Sequence, residues 1–178
     1  MNYLRKTCAT LVCACAAAAA SADSVDSHLV YHNDVFYHSI VVQETSHLTV
    51  WTDSYLDGGN LDPILAVWRN GERLGENDDN PSIAPGQTMY DSGLRLHDLM
   101  PGTYLFTVTM YDNFSNSTSI ADGWRYDNDA PIALADMGIG PYISVRWTVT
   151  PVPEPSTWAM LAAGALTVGA FVRRRRAA

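Results

Sequence analysis

The stretch HLTVWTDSYLDGGNLDPILAVWRNG, residues 47–71, decides the architecture. Its opening residues alternate, with Leu48, Val50 and Thr52 pointing one way and Thr49, Trp51 and Asp53 the other, the period-2 pattern of a half-buried strand. Asp57-Gly58-Gly59-Asn60 then breaks the chain, Ile64 to Trp68 is an unbroken apolar run of strand length, and Arg69-Asn70-Gly71 supplies the next turn. Working outward, Phe36 to Val42, Gly93 to Leu99, Tyr104 to Tyr111 and Tyr142 to Thr150 are rich in Val, Ile, Thr and aromatics. Turn clusters at Asn77-Asp78-Asp79-Asn80-Pro81 and Met100-Pro101-Gly102 separate them, and Ile132 to Gly140 reads as a loop. No stretch between the termini sustains a helical period, so an all-β antiparallel sandwich is predicted.

The termini have a different character. Arg5 and Lys6 precede an alanine-rich apolar run, and Ala20-Ser21-Ala22 has the small-x-small form cut by signal peptidase, so residues 1–22 read as a signal peptide with an N-terminal signal helix. A lipoprotein anchored through Cys15 is the competing reading. All three cysteines (Cys8, Cys13, Cys15) lie in this segment, so a mature chain starting at Asp23 would carry no disulfide, thiol nucleophile or cysteine metal site. At the other end, Val152, Pro153, Glu154 and Pro155 precede the uncharged run Thr157 to Val172, with Trp158, Leu161, Leu166 and Phe171 among its apolar side chains, and then Arg173, Arg174, Arg175 and Arg176. Those 16 positions would make a helix about 24 Å long, a little under the ~30 Å hydrocarbon core, which snorkelling arginines make up. A single C-terminal transmembrane helix with its arginines in the cytoplasm is therefore expected, the body lying outside. A permanent stop-transfer anchor is the plainer reading of the same residues.

Removing the ends changes the charge. Six of the 11 basic residues and one of the 19 acidic residues leave with them, so body residues 23–152 keep 5 and 18, net −13, with no lysine. Such a surface repels phosphate backbones, which excludes nucleic acid as a partner, and tolerates divalent cations.

The order Val152-Pro153-Glu154-Pro155, apolar helix, arginine cluster resembles the PEP-CTERM sorting signal of exopolysaccharide-producing Gram-negative bacteria. The resemblance implies a substrate of exosortase, a membrane cysteine protease-transpeptidase that processes the tail during surface sorting. Domains of 1–22 (signal peptide), 23–152 (exported body) and 153–178 (sorting signal) follow. So do signal peptidase and exosortase as partners, an inner-membrane precursor, and the cell surface, outer envelope or extracellular matrix as destination. Within the body, the Asp62-Pro63 strand start, Arg69-Asn70-Gly71, Asn77-Asp78-Asp79 and LMPGTYLFTV (residues 99–108) resemble the jelly-roll sandwich of bacterial pre-peptidase C-terminal domains. Met110-Tyr111-Asp112-Asn113-Phe114 and Ala121-Asp122-Gly123-Trp124 extend that likeness to an uncharacterised family of exported PEP-CTERM proteins, in which Phe is more usual than Trp at position 124. These resemblances imply a jelly-roll-like fold and a structural or adhesive role with exopolysaccharide, and no established ligand.

For a site, Asp57, Asn60 and Asp62 lie in one turn and Asn77, Asp78 and Asp79 in the next. If the hairpin brings the turns together, their hard oxygens suit Ca²⁺, the only cofactor suggested. The EF-hand spacing is absent, and the plainer reading is that Asn, Asp and Gly simply turn the chain, with Asp78 and Asp79 facing opposite ways. No Gly-x-Ser-x-Gly, His-Glu-x-x-His or phosphate loop occurs, and His28, His32, His38, His47 and His97 have no sequence-local partner, so a catalytic residue is not expected. A carbohydrate-binding module with calcium-supported loops is the alternative, with Trp51, Trp68 and Trp147 assigned to the core and Trp124 the candidate for stacking on a sugar. The sequons at Asn113 and Asn116 read as turns.

Overall fold

A computed structural model describes residues 22–57, 60–153 and 155–177. Among these residues eight strands, β1 (Asp23–His28), β2 (Phe36–Val42), β3 (Ser46–Thr52), β4 (Pro63–Arg69), β5 (Glu72–Asn77), β6 (Gly93–Leu99), β7 (Gly102–Met110) and β8 (Tyr142–Pro151), form two antiparallel four-stranded sheets. Their orders are β1-β8-β3-β6 and β2-β7-β4-β5. Strands one and eight, two and seven, three and six, and four and five are partners, so the chain is a long hairpin rolled up: the jelly roll that the body's resemblance implied.

Sequence and burial agree along these strands. Leu48, Val50, Ile143, Val145 and Trp147 face Leu65, Val67, Tyr104, Phe106 and Val108 across the main core. β4 is apolar from Pro63 to Trp68 because both its faces are covered: Leu65 and Val67 look inward, while Ala66 and Trp68 lie under the long β7–β8 connection, which seats Trp124 and Ile120 on them. The β4–β5 turn at Asn70-Gly71 has positive φ at both residues, 53° and 83°, the type I′ geometry that an Asn-Gly pair adopts readily.

The first and fifth strands were not foreseen. Both are polar edge strands: DSVDSH and ERLGEN hide too little to show a hydrophobic period, and their charges guard open edges. A short 3-10 turn, Leu134–Met137, interrupts the segment expected to be plain loop, with Leu134 buried.

The loop from Asp78 to Ser92 folds back so closely that a Cβ on Gly93 would lie 2.4 Å from Ile83 Cγ1. Gly93→Ala is therefore expected to overpack this contact and cost about 1–3 kcal/mol, measurable by urea denaturation.

The signal-peptide expectation falls, but for Ala22, outside the described residues; β1 begins at Asp23, where the mature chain was expected to start. Besides the one-turn helix α1 (Ser54–Asp57), a helix, α2 (Pro155–Ala177), forms at the other end as expected. Trp158, Leu161, Leu166 and Phe171 are all exposed on it, and its apolar residues show no sidedness that would fit one flank of a soluble protein. Among the described residues, however, no helix is long and apolar enough to cross a membrane. Alanines, glycines and threonine dilute a run already short of a full span.

Candidate metal centre at the acidic pole

Strand registers bring three separate chain segments together. Pro63 opens β4 opposite Met110 at the end of β7, and Leu65 pairs with Asn77 at the end of β5. The residues just beyond these strand ends, Asp62, Asp78-Asp79 and Tyr111-Asp112, therefore gather at one pole of the sandwich. The Tyr111 N–H donates to the Asp62 carbonyl at 2.8 Å. Ser92 ties the pole from below, its hydroxyl lying against the carbonyls of Pro63, Asn77 and Asp78.

Carboxylate oxygens of Asp62, Asp78 and Asp79 lie within 4.8 Å of one another. Asp78 and Asp79 thus converge, where an extended loop would have splayed them. The Oδ1 atoms of Asp62 and Asp78 are buried and receive no hydrogen bond. An unpaired buried carboxylate oxygen is costly, and burial together with like charge disfavours the ionised form. Burial first, then the charges of Asp78, Asp79 and Asp91, raise the Asp62 pKa from 3.8 to about 7. Burial, then Asp79 and Asp112, raise that of Asp78 to about 6.

Neighbouring acids are already committed. Asp91, fully buried, accepts from Thr52 Oγ1, the Tyr55 N–H, and the Thr88 N–H and Oγ1. Asp112 pairs with Arg125, and Asp53 with Arg146. The cluster of three is left with like charges and no cation among the described residues.

Ca²⁺ fits this donor set. It takes six to eight hard oxygens in a tolerant geometry, and three carboxylates supply up to six without the strict octahedron that Mg²⁺ demands. The metal would satisfy the two bare oxygens and remove the mutual repulsion at once.

The other candidates make different contacts. The side chain of Asp57 falls outside the described residues. Asn60 accepts from the Gly140 N–H and donates to the Gly138 carbonyl, pinning that loop to its turn. Asn77 Oδ1 accepts from the Gly93 N–H at 2.9 Å. Both asparagines thus hold the backbone of neighbouring loops. Trp51, Trp68 and Trp147 are buried as anticipated, but Trp124 is buried too, at 6% exposure, with its ring set edge-on to Trp68 and Tyr37. This corrects its assignment as a sugar platform: its loop is a lid on the second sheet, and the indole is the plug. Asp112 and Asp91 were missed as neighbours of the cluster. Asp112 follows the strand end at Met110, and the long-range pairing of β7 with β4 brings it to Asp62.

Comparison with known proteins locates one family feature. Residues 151–176 match the PEP-CTERM protein-sorting motif. The motif marks an exported protein sorted by exosortase, made as a membrane-anchored precursor. No curated protein sequence matches the chain. Among solved structures, PliG from Aeromonas hydrophila, a periplasmic inhibitor of g-type lysozyme, is similar at 15% identity and a TM-score of 0.43, over 75% of this chain and 90% of that one.

Proposed function

We propose that the chain is a non-catalytic component of the cell surface or exopolysaccharide matrix, delivered by exosortase, whose jelly-roll body holds Ca²⁺ at Asp62, Asp78 and Asp79 and uses it for adhesion. The carrying observation is the convergence of three carboxylates, two with bare buried oxygens, at the pole away from the tail. In this reading residues 1–22 are removed by signal peptidase, residues 23–152 are the exported body, and 153–178 the sorting signal. α2, closed by arginines and a little short of a full span, holds the precursor in the inner membrane through snorkelling and local thinning, a weak hold that suits a tail meant to be lost. The body's likeness to pre-peptidase C-terminal domains rests on the motifs quoted above and accords with the jelly-roll order.

Washing intact cells with EDTA is expected to release the protein from the matrix fraction, and an Asp62→Asn, Asp78→Asn variant is expected in the medium without EDTA. Retention of both forms regardless of chelator would refute the adhesive calcium site.

A carbohydrate-binding reading survives with a different residue. Tyr111, 47% exposed, is bonded through its backbone to Asp62, so it stands beside the carboxylates where Trp124 does not. Under this reading, calcium-dependent signals on a glycan array vanish in Tyr111→Ala while the melting temperature holds.

A further inference from the structure

The sorting motif leaves the sandwich with almost no slack. β8 pairs with β3 as far as Pro151 opposite Ser46, and the Val152 N–H still donates to the Thr45 carbonyl at 2.8 Å. Helix α2 starts at Pro155, so residues 153 and 154 alone separate the last bonded residue from the first helical one. The three steps from Val152 to Pro155 span at most about 11 Å. A protease that binds its substrate as extended chain cannot seat this motif while a folded body some 20 Å across sits against its rim.

The end of β8 is built differently from its start. Val145 to Trp147 lie between β1 and β3, and Tyr142 to Ser144, paired with β1, are anchored by the buried Ile143 and Ser144. Among the described residues, Thr148 to Pro151 have β3 as their one partner. Thr150 and Pro151 are exposed, Val149 is half-buried, and Trp147 is the first residue seated in the core. Segments with one-sided pairing and little burial open at a small fraction of the global cost.

We propose that residues 148–152 form a release strip, which peels from β3 as far as Trp147 so that exosortase can reach the Pro-Glu-Pro motif while the body stays folded. Processing breaks a peptide bond near the motif, passes the body's carboxyl carbon to water or an amine acceptor, and frees the helix with a new amine. The five residues of the strip add up to about 17 Å of extended chain. The inference rests on the exosortase reading.

Pulse-chase labelling of the full-length precursor, in cells that carry an exosortase, tests both. A six-residue Gly/Ser insertion between Val152 and Pro153 supplies slack and is expected to speed processing. A His47→Cys, Thr150→Cys pair, across directly partnered positions, clamps the strip in the oxidising exterior. The clamp is expected to slow processing roughly tenfold, reversibly with dithiothreitol, and the insertion to restore the rate with the clamp still closed. Equal rates in the parent, insertion and clamp variants would overturn the release strip and leave the sorting reading standing. No processing of either the parent or the insertion variant would overturn the sorting reading and the strip with it.

Discussion

Calcium added to the metal-free body at pH 8, in about hundredfold excess over its dissociation constant, is expected to raise the melting temperature by roughly 10 °C. That excess contributes about 2.7 kcal/mol to a state that alone binds the ion, and a body of this length unfolds with an entropy that converts the figure to that shift. Without metal the dependence on pH runs opposite to that of an ordinary salt-bridged acid. Asp62 and Asp78 have folded pKa values of about 7 and about 6, above the 3.8 of the unfolded chain. The folded state therefore holds more protons between about pH 4 and 7, and stability falls as pH rises through that window. Bound calcium demands the ionised carboxylates, so its gain is largest at pH 8 and fades toward pH 5. Scanning calorimetry at pH 5 and 8, with calcium and with EDTA, reads all four corners. A calcium shift that survives in Asp62→Asn, Asp78→Asn would place the ion elsewhere.

Trp68→Ala should be the most damaging single change in the body, costing about 3–5 kcal/mol and more than 10 °C of melting temperature. The side chain is 1% exposed, its indole N–H donates to Thr107 Oγ1 at 2.8 Å, and its ring meets Trp124 at 6.1 Å. Truncation leaves a cavity between the second sheet and its lid, so proteolytic nicking in residues 115–130 should accompany the lost stability. Trp68→Phe keeps most of the area and loses the hydrogen bond, with an expected cost of about 1–2 kcal/mol. Chemical denaturation of the three forms ranks them, and a Trp68→Ala midpoint equal to that of the parent would mean that the lid carries no weight.

Strands with an apolar face announced themselves in the sequence, as the run from Ile64 to Trp68 shows, because hydrophobic burial writes its period into the chain. β1 and β5 did not, since an edge strand's stability comes from a neighbour's backbone and leaves its side chains free to be polar. The metal centre was half legible. Counting outward from Asn70-Gly71 sets Asp62 across from Asp79, and the bulge between Val67 and Trp68 shifts the pairing beyond it by one residue. The contribution of Asp112 comes through β7, a pairing between distant parts of the chain that no local count reveals. Trp124 misled for a related reason: Asp122-Gly123 correctly marked a loop, but whether a loop hangs free or covers a sheet depends on what lies beneath it, here Ala66 and Trp68.

Antiparallel register sends the chain out of the sandwich at the Ser46–Pro151 end, while the carboxylates crown the end where Pro63 meets Met110. Seven residues of strand set these ends about 23 Å apart, several times the ~8 Å over which ions at physiological strength mask a charge. In the proposed reading, a precursor held by α2 would therefore keep its three aspartates beyond the screened reach of the bilayer's anionic headgroups. The crown would stand open to the surrounding fluid, free to fill from it before the tail is processed.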